Sequence, residues 1–283
     1  MKVLVVGPGR AGCQLALAHR QADDQVVLLG RRSGKWQGWA RRNGIATATS
    51  LKRVPPDCVR LIIAVADADI TAVATVLCGI LPPDKQRMTI HLSGMTGLGA
   101  LSCFAERGEQ VAAVHPIYAF AEACSCDSAR LGGAAVTVLA SDNGRAAAKS
   151  LVRKWGAKPL ELDADGDRRR YHLALTLASN HLAGAFGRAE EILGDTLGQC
   201  GREVLASLAV QSIVSCAQVG AAQALTGPIV RAELSTIKQH LAAISKQERE
   251  KLRPLLLALT EFAVDSGRLD KSAARRLRKL LSA

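Results

Sequence analysis

Lys2-Val3-Leu4-Val5-Val6-Gly7-Pro8-Gly9-Arg10-Ala11-Gly12 is the stretch whose reading decides the fold. A Val/Leu-rich run of this kind reads as a buried strand, and the apolar spacing from Ala11 to Arg20 reads as a helix packed on it. The three glycines meet separate needs: a tight turn at Gly7, close approach of a pyrophosphate at Gly9, and close helix-on-strand packing at Gly12. Gln25 to Leu29 supplies the next strand, so the motif lies inside a βαβ unit, the setting that gives a glycine pattern its meaning. The expected ligand is a dinucleotide cradled by Gly7, Pro8, Gly9, Arg10, Ala11 and Gly12, with its phosphates over the free N–H groups of the helix start.

The end of the second strand selects the cofactor. NAD sites usually carry Asp or Glu there for the ribose hydroxyls, whereas this chain carries Gly30-Arg31-Arg32-Ser33. Two guanidiniums and a hydroxyl suit a 2′-phosphate, so NADPH is favoured over NADH. The competing reading places Arg31 and Arg32 in a solvated basic loop that continues through Lys35, Arg41 and Arg42. Trp36 and Trp39 either cover the adenine or pack locally.

A chain of 283 residues that is 48% hydrophobic can build one large or two medium domains with a real core. No apolar run approaches the roughly 18 residues of a membrane span, and Met1 leads straight into a strand. The expectation is a soluble, cytoplasmic protein without a membrane partner. Eight cysteines are scattered without a CxxC pair or zinc-like Cys/His spacing, which reads as buried thiols in a reducing compartment and no metal. Cys124-Ser125-Cys126 reads as incidental rather than as a redox pair. A net charge of +12 raises the question of nucleic acid. The cations fall in three separate groups, Arg31 to Arg42, Arg168 to Arg170 and Arg275 to Lys279, and the few aromatics offer no stacking platform, so no nucleic-acid partner is expected.

Val59 to Val65 and Met88 to Leu92 are continuous apolar runs that read as buried parallel strands, with a helix from Ile70 to Leu81 between them. Val111 to Val114 and Ala135 to Ala140 add two more. Ligands of such sheets bind beyond the carboxyl ends of the strands, so Ala64 to Asp67, Ser93-Gly94 and His115-Pro116 point at one crevice, with Val65, Ala66 and Ser93 along the dinucleotide. From Arg168 the pattern changes to long helical runs: Tyr171 to Leu193, Arg202 to Leu225, Val230 to Ile244, Gln247 to Val264 and Lys271 to Leu281. The fold expected is α/β, a doubly wound Rossmann domain over residues 1–167 followed by an all-α domain over residues 168–283. The apolar faces of those helices exceed what one short bundle hides, which points to a homodimer.

Two places in the helical part could carry chemistry. His172, Thr176 and Asn180 recur at i, i+4 and i+8, a polar stripe that is either a solvent-facing strip or a wall where Asn180 meets substrate. In Leu225-Thr226-Gly227-Pro228-Ile229-Val230-Arg231, Thr226 can cap and Pro228 can open a helix. Arg231 in that first turn either holds a substrate carboxylate or pairs with Glu233 or Glu190.

These residues, with Tyr171-His172-Leu173-Ala174, Ala178-Ser179-Asn180-His181-Leu182, Thr236, His240-Leu241 and His115-Pro116, resemble the Rossmann-like oxidoreductases with an uncharacterised helical C-terminal domain. These have a 6-phosphogluconate-dehydrogenase-like C-terminal half and are distant relatives of pyrroline-5-carboxylate reductase, prephenate dehydrogenase and the coenzyme-F420-dependent NADP oxidoreductases. The resemblance spans about Lys2 to Leu257 and implies an NAD(P)-dependent reductase or dehydrogenase with its active site between two domains, ketopantoate being a substrate of some members. The family usually follows the arginine with Gly-Asp, where this chain has Ala232-Glu233.

The expected reaction is hydride transfer between NADPH and a small carbonyl or 2-oxo acid. His115 and His172 are the candidate proton donors because imidazole titrates near neutrality, Asn180 would orient the carbonyl, and Arg231 would bind the carboxylate. The alternative is a regulatory protein that binds NADP(H) without turnover.

Overall fold

The computed structural model describes residues 1–120, 131–162 and 167–282. The Cys124-Ser125-Cys126 expectation falls outside the described residues. Two compact units divide the chain, Met1–Leu177 and Ala178–Ala283.

The first unit is built on one eight-stranded sheet, β1 (Lys2–Val6), β2 (Gln25–Leu29), β3 (Ala46–Ala48), β4 (Arg60–Ile63), β5 (Met88–His91), β6 (Gln110–Pro116), β7 (Ala135–Ala140) and β8 (Lys158–Glu161). Their order across the sheet is β3-β2-β1-β4-β5-β6-β7-β8. Strands β1 to β6 run parallel, β7 pairs antiparallel with β6, and β8 is parallel to β7. Helices α1 (Arg10–Gln21), α2 (Lys35–Arg42), α3 (Ile70–Ile80), α4 (Ser102–Ala105) and α5 (Arg145–Lys154) connect them. Alternation along β1 shows why apolar runs are needed: Val3 and Val5 enter one core with Leu15 and Trp155, while Leu4 and Val6 enter the other with Leu77 and Phe104.

Two polar clusters are sealed inside. Arg87 and Glu109 are fully buried; Arg87 Nη1 lies 3.2 and 3.3 Å from the Glu109 carboxylate oxygens, and its other donors reach the carbonyls of Cys58, Pro82 and Pro56. Buried His19 accepts a hydrogen bond from Trp155 Nε1 at its Nε2 (3.1 Å) and faces Asp24 Oδ2 with its Nδ1 (2.7 Å), an arrangement that needs the neutral Nδ1–H tautomer. Burial holds its pKa below the ordinary value.

The chain then runs through α6 (Arg168–Thr176), a π turn over Leu177–His181, and α7 (Leu182–Leu193). The second unit continues with α8 (Gly201–Val219), α9 (Ala221–Ala224), α10 (Leu234–Ala242), α11 (Lys246–Asp265) and α12 (Lys271–Ser282). Its core joins Ile229, Ile237, Ala263, Leu269 and Leu277. The expected helix from Arg202 to Leu225 is broken at Gly220, whose φ is +84°. The helix expected from Val230 begins only at Leu234, and Thr226 and Pro228 do not start it. Gly227 and Ala232 sit at φ +103° and +55°, values that no right-handed helix can contain, so the segment turns instead. Ala232, at the position where the resembling family has glycine, holds a left-handed conformation against its Cβ, at a cost of about 1 kcal/mol.

Among the described residues, Cys13, Cys58 and Cys78 are buried, but Cys103 and Cys216 are half-buried and Cys200 is exposed, which corrects the expectation of uniformly buried thiols. No described helix is long and apolar enough to cross a membrane.

Candidate functional site

The glycine turn has the geometry its chemistry needs. Gly7 sits at φ +104°, and a Cβ there would lie 2.2 Å from the Ala64 carbonyl oxygen. A Cβ on Gly12 would lie 1.9 Å from the Gly7 carbonyl, so α1 can approach β1 only as glycine. Gly9, the N-cap of α1, has no atom within 4 Å of where a Cβ would be; its emptiness is space rather than packing. The first-turn N–H groups of α1 face that space as the orphan donors of every helix start.

Beside this turn lies a cavity of about 510 Å³. Gly7, Pro8, Arg31 and Val65 line it, as do Thr49, Leu51, Asp69 and Val73, which sequence reasoning missed because they lie beyond short β3 and at or just before the start of α3. Gly9, Arg10, Ala11, Gly12, Arg32, Ser33, Ala66 and Ser93 do not line it. Arg31, Arg32 and Ser33 are exposed at the end of β2. The solvated basic loop expected as the alternative through Arg42 is in fact helix α2. Trp36 and Trp39 are buried in the core; Trp36 packs against Gly30 and donates to the Arg32 carbonyl at 3.0 Å, so both rings pack locally.

A second cluster forms beyond the carboxyl ends of β4, β5 and β6. The Ser93 hydroxyl donates to Asp67 Oδ2 at 2.7 Å and accepts from the Met95 and Thr96 amides. Gly94 lies beneath two imidazoles: a Cβ there would be 2.8 Å from His115 Nδ1 and 2.9 Å from His172 Cδ2. His115 and His172 have ring centroids 5.9 Å apart. The Tyr171 hydroxyl is hydrogen-bonded to His115 Nδ1 at 2.9 Å and to Thr137 Oγ1 at 3.1 Å. Arg168 donates from Nη2 to the Ser93 carbonyl at 3.3 Å.

Burial first, then the neighbouring His172 and the Arg168 charge, push the His115 pKa down to about 4. His115 is therefore neutral at pH 7, which corrects the expectation that it titrates near neutrality. Neutral imidazole still carries one N–H and one acceptor nitrogen, enough to pass a proton between Tyr171 and a bound group. Sequence reasoning set no role for Tyr171, Thr137 or Arg168. Tyr171 and Arg168 stand at i−1 and i−4 from His172, and in the sequence Arg168 is one of a group of three adjacent arginines.

In the second unit, Asn180 is exposed and accepts from the Ser179 hydroxyl at 3.2 Å. It lies in the π turn, so the 3.6-residue spacing that aligned it with His172 and Thr176 does not hold through Leu177–His181. Thr176 instead bonds back to the His172 carbonyl at 2.9 Å. Arg231 forms the ion pair left open as one alternative: Nε reaches Glu233 Oε1 at 2.6 Å and Nη2 reaches Oε2 at 3.3 Å. Its fork is engaged, and it heads no helix.

Residues 134–260 match the family described as a domain of unknown function, DUF2520. No curated protein matches the chain by sequence. Among solved structures, the chain is similar to a Bacteroides fragilis protein assigned as an NADP oxidoreductase (18% identity, TM-score 0.73, 98% of each chain). It is similar too to a reductive aminase from Aspergillus terreus in complex with NADPH and ethyl-5-oxohexanoate (18% identity, TM-score 0.65, 96% of this chain and 97% of that one). A third likeness is to a pyrroline-5-carboxylate reductase from Coxiella burnetii (13% identity, TM-score 0.56, 99% and 97%). With a mostly parallel sheet entered through a glycine turn, a helical second unit and the DUF2520 match across residues 134–260, the chain shares the fold of these solved structures, a Rossmann-type sheet domain followed by helices.

Proposed function

We propose that the protein is an NADP-dependent oxidoreductase that moves a hydride between NADPH and a small carbonyl compound or the derived imine, 2-oxo acids such as ketopantoate included. The observation that carries this reading is the open space at Gly9 at the start of α1, next in sequence to Gly7 and Pro8, which line a cavity that has Arg31, not an acid, at the end of β2. The residues fit the cofactor: orphan amides for a pyrophosphate, an apolar wall of Leu51 and Val73 for a base, and Arg31 with Arg32 for a 2′-phosphate. The solved relatives include NADPH complexes, which supports the same assignment.

NADPH, when bound, supplies the hydride. The chain's own residues supply position and a proton path. Ser93, tied to Asp67 and two backbone amides, is a rigid platform at the end of β5. His172 and the Tyr171–His115 pair are the groups that could deliver a proton to the reduced oxygen or nitrogen. Orienting the carbonyl through Asn180 is a further part of this reading.

The test is a fluorescence titration with NADPH and NADH. Wild-type protein should prefer NADPH, and Arg31→Ala/Arg32→Ala should lose about 10- to 100-fold in NADPH affinity, the worth of one or two charge-assisted bonds, with little change for NADH. Absence of binding by either nucleotide would overturn the cofactor assignment and the enzyme reading with it. A cytoplasmic site of action is part of the proposal.

The proposal includes a homodimer. Helix α8 buries only Gly201 of its nineteen residues. Leu208 and Val210 are 60% and 62% exposed, and Ile213, Val214 and Val219 are exposed as well. A helix this apolar all round is normally covered, and a second copy presenting the same helix is the self-complementary cover. Light scattering after size exclusion should give twice the 29.8 kDa chain mass, and Leu208→Glu/Ile213→Glu should shift it to monomer. A wild-type monomer at tens of micromolar would sink this part.

A further inference from the structure

A reductase acting on an oxo acid needs a cation for the acid group, and Arg231 is engaged by Glu233. The crevice at the ends of β4 to β6 holds another. Arg168, the first residue of α6, is turned inward and half-buried, whereas its neighbour Arg169 is exposed and paired with Asp167. Of the five N–H donors of Arg168, Nη2 uses one on the Ser93 carbonyl, and Nε is buried with no hydrogen-bond partner among the described residues. No carboxylate lies within ion-pair distance of it among the described residues. Burial lowers its pKa, against a smaller opposing effect of Tyr171.

A partly desolvated guanidinium with an orphaned nitrogen is costly unless something arrives to satisfy it. Its fork matches a carboxylate in geometry and charge. The surroundings agree with a ligand site: among the described residues the Ser93 carbonyl is its one hydrogen-bond acceptor, and its charge acts on both His115 and His91. Resting on the reductase reading above, we propose that Arg168 receives the carboxylate of the substrate and thereby selects carbonyl compounds that carry an acid group over neutral ones. The reducible carbon then lies in the crevice that His115, His172 and the Ser93-Gly94 turn enclose.

The experiment compares 2-oxo acids of three to six carbons with their methyl esters, using wild-type protein, Arg168→Gln and Arg168→Lys. Two readouts are taken: NADPH oxidation, and calorimetric binding of the acids to protein saturated with NADP⁺, where no turnover occurs. The wild type should prefer an acid to its ester. Arg168→Gln should reduce that preference about 10- to 100-fold, through KM rather than kcat, and weaken acid binding by the same factor, as loss of a charge-assisted pair requires. Arg168→Lys should restore part of both, because it returns the charge without the fork.

Equal losses on acid and ester, a parallel loss of NADPH affinity, or acid binding indifferent to Arg168 would overturn the proposal, as would a wild type that binds none of the acids. The reductase reading fails separately. If the acids bind in an Arg168-dependent way and NADPH is never oxidised, the acid site stands and the reductase reading falls; turnover that ignores Arg168 gives the reverse.

Discussion

Glu109→Leu is expected to lower the unfolding free energy by about 3–5 kcal/mol, the cost of leaving a buried charge without its partner. Arg87 and Glu109 have side chains with no exposed surface, so water cannot replace the lost carboxylate. The guanidinium is held in place by the carbonyls of Cys58, Pro82 and Pro56, and it cannot swing out to solvent without unmaking the loops that lead into β4 and β5. Glu109 also accepts from the Asp84 amide at 3.2 Å, and that donor is orphaned as well. Urea denaturation of the single variant and of Arg87→Met/Glu109→Leu checks the account. The double variant should recover part of the loss, because the uncompensated charge is gone while three carbonyls remain unpaired. A single-variant loss below about 1 kcal/mol would mean the pair is open to water.

The second large effect separates two glycines of one motif. Gly12→Ala places a methyl 1.9 Å from the Gly7 carbonyl oxygen, and backbone must move to admit it. The expected result is a destabilisation of about 3 kcal/mol, toward the upper end for overpacking, together with loss of NADPH affinity because the displaced strand end is the phosphate loop itself. Gly9→Ala meets nothing within 4 Å and has an ordinary φ of −80°, so thermal stability should stay within about 0.5 kcal/mol of wild type. Its NADPH affinity should nevertheless fall about 10-fold or more, since the methyl occupies the space proposed for the pyrophosphate, where phosphate and backbone amides must meet closely. Differential scanning fluorimetry and the fluorescence titration together read both variants. If Gly9→Ala binds NADPH like wild type, the phosphates are not there.

The sheet was legible where chemistry left no choice. A run such as Leu61-Ile62-Ile63, buried on both faces, can only be a central strand, and β1, β2, β5 and β7 announced themselves in the same way. Three-residue β3, with its Ala-Thr-Ala, carries too little pattern to be seen, and β8 contains Pro159 and is mostly exposed. Helix α2 reads as a basic loop because four of its eight residues are polar or charged, and Trp36, Trp39 and Ala40 are what it buries. The misplaced start of α10 has a different cause. Pro228 is a good opening residue, but Ala232 in a left-handed conformation ends any helix that Pro228 begins, and nothing in the identity of alanine foretells that φ.

The candidate site was legible in its strand-end residues and obscure in its helix residues. Asp67, Ser93 and His115 follow from topology alone, since each stands at the carboxyl end of a parallel strand or just after it. Arg168 and Tyr171 do not, because a cation beside two other arginines and a tyrosine beside a histidine look alike whether they face water or the crevice. Only the fold turns one arginine of the three inward.

The one reversed pairing in the sheet bears on how the crevice is furnished. Along parallel strands the chain delivers side chains to this rim only as it leaves each strand, so every such residue is a last residue with a loop behind it. Strand β7 runs the other way, and its register sets Thr137 opposite His115. The rim thus gains a residue near the entrance of a strand, flanked by ladder bonds on both sides rather than by a loop. Thr137 is in that sense an anchor: Tyr171 is moored to a hydrogen-bonded strand of the sheet, and its hydroxyl keeps its bearing on His115 without leaning on a loop.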